Sequence, residues 1–276
     1  MFEKNGDTVA PIGSVFLDWG NVVSKLTHCY RNGLFPILIG PKGVGKTAAI
    51  RKACEELGKE MYSVNFSLRT REHNLVGHYD TRPDGTICFT SGPLIKSMQE
   101  GAALYLDEIN VAEPAVLIRL DEALDFRREL NNDGNKIRAA EGWWVCSSIN
   151  PLDRYHSGTH ELPGQLLSRF PVRIYMTYPD PSTEYEIVKM HVPEITRMAS
   201  DLQDLLIAIN QLREQDLPYV PSIRESIALA TLLTSGIDIK SAVEMTLIDV
   251  YYQWDPSIVD SVKELLRSRL LINFDS

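Results

Sequence analysis

The octapeptide Gly40-Pro41-Lys42-Gly43-Val44-Gly45-Lys46-Thr47 constrains the fold of this chain more than any other feature. It has the spacing GxxxxGK[ST] and follows the apolar run Leu34-Phe35-Pro36-Ile37-Leu38-Ile39, the pattern of a strand buried on both faces. Ala48, Ala49, Ile50, Ala53 and Leu57 then recur at helical spacing, and Gly58 closes the segment. A glycine-rich turn from strand into helix gathers backbone N–H groups and the positive end of the helix at one point, which suits phosphate. In that arrangement Lys46 reaches the β/γ-phosphates of a nucleotide such as ATP, and Thr47 offers its hydroxyl to Mg2+. Gly40, Pro41, Lys42, Gly43, Val44, Gly45 and Ala48 complete the cradle.

A second apolar run, Gly101-Ala102-Ala103-Leu104-Tyr105-Leu106, ends in the adjacent carboxylates Asp107 and Glu108. In a parallel sheet both lie at the edge where the loop after the first strand also emerges. Asp107 is the candidate partner of Mg2+, and Glu108 the group that orients an attacking water, which points to hydrolysis. Further strands are expected at 61–66, 143–149 and 172–176, separated by helical segments that start at Pro93 and Pro114. Strands alternating with helices predict an α/β fold with a mostly parallel five-stranded sheet covered on both faces. Hairpins are expected near 78–90, around Pro83-Asp84-Gly85, and within 127–142, around Asn131 to Asn135. In Trp143-Trp144, one ring is expected inside and one facing out.

After residue 180 the segments 183–191, 197–213, 222–235, 238–253 and 256–271 are all helical in period, so a smaller all-helical domain is expected. The Pro-rich stretch Tyr178-Pro179-Asp180-Pro181 sets the boundary, giving domains 1–178 and 179–276. Charge divides at the same place: of 28 Lys+Arg and 37 Asp+Glu, only 8 of the former but 16 of the latter lie beyond residue 178. The net charge of −9 is of the wrong sign for gripping a nucleic acid by bulk electrostatics, so no nucleic acid partner is expected. Four cysteines without a CxxC pair read as reduced buried thiols. No apolar run is long enough to span a membrane and no signal peptide is read, so a cytoplasmic location is expected. Of the six histidines, only His156 and His160 have a metal-ligand spacing, in a Gly/Thr loop, and a solvated loop is the reading.

With these motifs in hand, the chain resembles the AAA+ ATPases, an αβα P-loop core with a helical lid, and within them the MoxR-type group that includes the CbbQ/NirQ activators. The most specific stretch runs from Gly92-Pro93-Leu94 through Leu106-Asp107-Glu108-Ile109-Asn110 to Ala123-Leu124-Asp125, similar to the group's GPL…LLADEIN…LLEAM run. The hairpin at 78–90 resembles the insert in helix two that marks the branch, and 127–142 the hairpin before the sensor strand. The resemblance implies that Asn150 is the sensor-one residue, that Arg169 in Ser168-Arg169-Phe170 is an arginine finger acting in a neighbouring subunit, and that Arg224 in Pro221-Ser222-Ile223-Arg224 is sensor two. It also implies a homo-oligomeric ring, with a hexamer the expectation, and a chaperone or activator of a partner protein complex, reached in this group often through a von Willebrand factor A domain adaptor.

Asn65, at the end of the second strand, is a candidate restraint on Glu108, and Arg127, Arg128 and Arg154 are candidates for the subunit junction, each weighed against a plain solvated role. Two other functions stay open from the residues. Asn150-Pro151-Leu152-Asp153-Arg154 distantly resembles the MNTADR signature of McrB-like GTPases, with proline in place of threonine. A nucleotide-gated scaffold with little turnover is the third reading, against which Glu108 and Arg169 both argue.

Overall fold

The computed structural model describes residues 16–151, 160–270 and 272–274. The chain divides into two compact units. One comprises Gly20–Pro41 and Lys46–Met176; the other comprises the residues from Thr177 onward together with residues 16–19 and Lys42–Gly45.

In the first unit, α1 (Val22–Arg31) precedes β1 (Pro36–Ile39), α2 (Lys46–Glu56) and β2 (Met61–Asn65). A short α3 (Glu72–Leu75) leads into the hairpin β3 (Gly77–Thr81) and β4 (Ile87–Ser91), then α4 (Pro93–Glu100), β5 (Ala103–Asp107) and α5 (Pro114–Leu124). A second hairpin, β6 (Glu129–Asn132) and β7 (Asn135–Arg138), is followed by β8 (Trp144–Ile149), α6 (Gly164–Arg169) and β9 (Val172–Tyr175). Both hairpins thus lie where the turn residues put them: Gly85 takes φ +81°, and Asp133 and Gly134 take φ +48° and +82°.

The central sheet has five strands in the order β2-β5-β8-β1-β9, and every neighbouring pair is parallel. Residues of β5 and β8 are buried along nearly their whole length on both faces, as continuous apolar runs require. The order fixes the site: β8 lies between β1 and β5, so whatever follows β8 stands between the loops that leave the other two strands at the same sheet edge.

Trp143 and Trp144 are a correction. Both rings are buried, at 2% and 1% exposure. The indole N–H of Trp143 donates to Ser97 Oγ of α4, and that of Trp144 to the Leu34 carbonyl, with the Trp144 ring edge-on to Tyr30 of α1. Helices cover both faces of this interior strand, so no outward position exists. Helix α1 buries Val22, Val23, Leu26 and Cys29 at helical spacing, an amphipathic pattern not anticipated from the sequence. All four cysteines are free, but Cys88 in β4 is only half-buried.

The second unit is helical among the described residues: α7 (Pro181–His191), a 3₁₀ turn over Pro193–Met198, α8 (Ala199–Arg213), α9 (Ile223–Thr234), α10 (Ile239–Val243) and α11 (Pro256–Leu270). The single helix expected over 238–253 is instead α10 continued by a π turn (Glu244–Ile248) and a 3₁₀ turn (Asp249–Gln253). There the Thr246 hydroxyl takes the Ala242 carbonyl, a bond known to bend helices. The apolar interior encloses an ion pair: Glu184, fully buried, accepts from Arg213 Nη1 at 2.5 Å, from Arg213 Nη2 at 2.8 Å and from the Ser226 hydroxyl at 2.5 Å. No helix among the described residues is long and apolar enough to cross a membrane.

Candidate nucleotide-hydrolysis site

The site is built from the ends of three parallel strands. After β1 the chain turns sharply through Gly43 and Gly45, at φ +68° and +93°, a left-handed region that L side chains rarely adopt. At Gly40 a Cβ would come within 2.4 Å of the Met176 carbonyl oxygen, so the turn begins where only glycine fits. Val44 is fully buried, and Lys46 opens α2 with only 7% of its surface exposed.

The Lys46 ammonium is satisfied by three acceptors, the carbonyls of Gly40 at 2.7 Å and Pro41 at 2.8 Å and Asn150 Oδ1 at 2.7 Å. The other end of the same amide, Asn150 Nδ2, donates to Glu108 Oε1 at 2.8 Å. Asn150 therefore ties the phosphate-loop lysine to the carboxylate after β5, as its place at the end of the intervening strand dictates. Its own main-chain carbonyl accepts from Asn110 Nδ2 at 3.2 Å. Glu108 itself sits at φ +56°, ψ +43°, a conformation that costs a non-glycine residue about 1 kcal/mol or more and is held by its surroundings.

Asp107 is fixed by two hydroxyls. Tyr105 and Ser148 each donate to its Oδ1 at 2.6 Å, and the Tyr105 hydroxyl also lies 3.2 Å from Thr47 Oγ1. Burial, then the charge of Asp107, pushes the Tyr105 phenol far above its ordinary range, so it stays a neutral donor. Thr47 and Asp107 thus converge on one phenolic oxygen, and a hydroxyl beside a carboxylate is a donor set that suits Mg2+. The turn glycines, the lysine and this oxygen pair fit a magnesium-bound nucleotide. Tyr105 and Ser148, which read as strand interior, and Asn110, which entered only as part of the family-like run, were missed as site residues.

Asn65 was weighed as a restraint on Glu108 against an ordinary end-of-strand residue. Asn65 is exposed at the end of β2, opposite Asp107 in register, and the bond to Glu108 comes from Asn150. Arg169, the last residue of α6, is turned to α5: its Nε donates to Asp121 Oδ1 at 2.8 Å and its Nη1 to Asp125 Oδ1 at 3.3 Å. These bonds, that to Asp121 first, raise its already high pKa. Arg128 packs its guanidinium 5.1 Å from the Phe35 ring centre and donates to the Gly33 carbonyl, while Arg127 pairs with Asp125. Arg154, with Leu152, Asp153 and His156, lies outside the described residues.

In the second unit, Arg224 is exposed at the start of α9, after a capping box in which its N–H donates to Ser222 Oγ and the Ser222 N–H to Glu225. Lys42–Gly45 group with this unit: the Tyr178 hydroxyl donates to the Lys42 carbonyl at 2.7 Å, and a Cβ on Gly43 would meet Ser222 Oγ at 2.3 Å. Burial lifts the Tyr178 phenol to about 12.

Residues 36–170 match the family described as AAA domain (dynein-related subfamily), and residues 184–268 match CbbQ/NirQ/NorQ C-terminal. The chain is 31% identical over 249 residues to Protein NorQ of Paracoccus denitrificans, covering 90% of each chain. A solved Cytophaga hutchinsonii chain, described as a candidate ATPase, superposes with a TM-score of 0.54 at 16% identity over 91% of this chain and 90% of that one. NtrX from Brucella abortus, solved in complex with ADP, gives a TM-score of 0.54 at 17% identity over 87% of this chain and 53% of its own. At such identities the two solved structures speak for the fold alone. The resemblance read from Gly92 to Asp125, the P-loop α/β unit with its helical companion, and a NorQ relative matched along nine-tenths of its length all agree: the chain belongs to the CbbQ/NirQ/NorQ branch of the MoxR-type AAA+ ATPases.

Proposed function

We propose that the chain hydrolyses ATP at the Lys46–Asn150–Glu108 site and uses the cycle, as a ring of copies, to activate a partner protein complex. The carrying observation is that one amide joins the phosphate-loop lysine to the carboxylate beside it. A γ-phosphate arriving at Lys46 competes with Asn150 Oδ1 for the ammonium, so occupancy of the loop is felt at Glu108. Glu108 then accepts a hydrogen bond from water and aligns its oxygen with the γ-phosphorus. As the new P–O bond forms, the bond to the β–γ bridging oxygen breaks, and ADP leaves with that electron pair. The water's proton passes to Glu108 or to the phosphate released. Thr47 and Asp107 are the residues that would hold Mg2+, which neutralises charge on the β- and γ-oxygens when bound.

Arg169 is assigned to a neighbour's site. Its guanidinium is carried by α5 carboxylates and makes none of the hydrogen bonds of its own subunit's Lys46–Glu108 cluster. Arg224 is assigned to the γ-phosphate from the second domain, residues 179–276. The family membership supports an activating role, and a von Willebrand factor A domain protein is the adaptor we expect between ring and client. Glu108→Gln tests the catalytic half: ATP binding is retained while turnover falls by two orders of magnitude or more. Undiminished turnover would remove Glu108 from its role.

A further inference from the structure

We infer that Tyr105, seconded by Ser148, is a positioning residue for the cation of a bound nucleotide: its phenol takes the Thr47 proton and gives its own to Asp107, so both candidate ligands meet Mg2+ with lone pairs. The inference rests on the reading that Thr47 and Asp107 hold that cation. Tyr105 stands in β5 among Ala103, Leu104 and Leu106, all fully buried, and is itself 1% exposed. A hydroxyl carried that deep into a sheet costs stability unless it is bonded, and an apolar ring would fill the same space without that cost. The bonds of this hydroxyl run to the nucleotide site. Tyr105 and Asp107 lie two residues apart on β5 and so on one face of the sheet, and Thr47, in the first turn of α2, reaches the same phenolic oxygen at 3.2 Å.

The phenol has a single proton to give, and Asp107, 2.6 Å away, is the carboxylate among its partners Asp107, Ser148 and Thr47. A carboxylate takes the shorter and stronger bond, so that proton lies on Asp107 Oδ1. The contact with Thr47 is then a hydrogen bond only if Thr47 donates, which leaves both lone pairs of Thr47 Oγ1 to a cation. Without the phenol, the threonine proton is free to rotate toward the cation and repel it. Ser148 Oγ, 3.0 Å from the phenol, gives its own proton to the same Oδ1 at 2.6 Å and accepts the Glu108 N–H at 3.3 Å. Two hydroxyls on one oxygen lock the rotation of the Asp107 carboxylate and leave its Oδ2 to the cation.

The test measures cation binding apart from turnover. Tyr105→Phe keeps the ring and removes only the oxygen, and Ser148→Ala removes the second hydroxyl, with melting curves taken for both. Calorimetry gives the ADP affinity of the full chain in EDTA, and loss of the free Mn2+ electron paramagnetic resonance signal gives the Mn2+ affinity of its ADP complex. In Tyr105→Phe the ADP affinity in EDTA is expected to stay within about twofold of wild type, while Mn2+ affinity falls about tenfold or more, the size of one bond to a charged group. Ser148→Ala is expected to weaken Mn2+ in the same sense. Added to Thr47→Ala, Tyr105→Phe is expected to cost less Mn2+ affinity than it does alone, because half of what the phenol positions is already gone. Unchanged Mn2+ affinity in Tyr105→Phe, an equal fall with and without the cation, or costs that simply add in the double variant would overturn the role of Tyr105 and leave the Thr47–Asp107 site standing. If Tyr105→Phe does not fold, Ser148→Ala decides, and wild-type Mn2+ affinity in it overturns the hydroxyl pair. A wild-type ADP complex that binds no Mn2+ would overturn the Thr47–Asp107 site itself, and this inference with it.

Discussion

Replacing Asn150 by alanine tests the link between phosphate sensing and water activation without touching either end. The amide makes two charge-assisted hydrogen bonds, accepting from Lys46 at 2.7 Å and donating to Glu108 at 2.8 Å, while the main-chain bond from Asn110 survives the change. Lys46 keeps the carbonyls of Gly40 and Pro41, and a bound nucleotide replaces the lost acceptor, so KM for ATP should move less than about threefold. Glu108 has no such replacement. One hydrogen bond to a charged group contributes about 1.5–3 kcal/mol. At ~1.4 kcal/mol per decade of rate, kcat should fall by roughly 10- to 100-fold. Steady-state phosphate release over a range of ATP concentrations separates the two constants. A variant with unchanged kcat, or one in which KM rises and kcat does not fall, would refute the coupling.

Two further outcomes follow from the second unit. Glu184→Gln leaves the Arg213 charge buried with half its partner, in a place where Glu184 is wholly buried and the Arg213 side chain 5% exposed. Breaking such a pair costs about 3–5 kcal/mol, so thermal melts should fall by at least ~6 °C, and a change under ~2 °C would contradict it. Asp180 caps α7 by accepting from the N–H groups of Ser182 and Thr183 at 3.0 Å, and hydrogen bonds from both residues hold its carboxyl well below the usual range. Its folded-state pKa is depressed, so its stabilisation is present above the ordinary carboxylate pKa and is lost as pH falls toward the folded value. Asp180→Ala should therefore cost about 1 kcal/mol near pH 7, with a difference from wild type that shrinks in acid. A difference independent of pH down to 2 would refute the charged cap.

What the sequence made legible was local. The turn from β1 to α2 and the carboxylates after β5 are patterns of residue type over a few positions, and the positive φ of Gly43 and Gly45 is the physical cause of that pattern. Asn150 was legible as a polar residue ending an apolar strand. The hydroxyls that fix Asp107 were not, because a tyrosine and a serine inside apolar strands have the same spacing as core. Nor were Asp121 and Asp125: acids on a helix look solvated until Arg169, more than 40 residues away, is folded onto them. The reading of Trp143-Trp144 failed for a related reason. Alternation shows that the rings face opposite ways, but only the sheet order shows that neither way is out. Asn65 was read only from its position at the end of β2, whereas strand order puts Asn150, after β8, between the loops that leave β1 and β5.

The most direct test of the central claim, hydrolysis at a site completed by a neighbour's arginine, is the turnover of mixed subunits. Lys46→Ala lacks the nucleotide site but keeps its arginine, and Arg169→Ala has the reverse defect. Each alone should be inactive, and mixing them should restore phosphate release, because some junctions then join an intact Lys46 site to an intact Arg169. Mixtures that assemble but stay as inactive as their components would contradict the account.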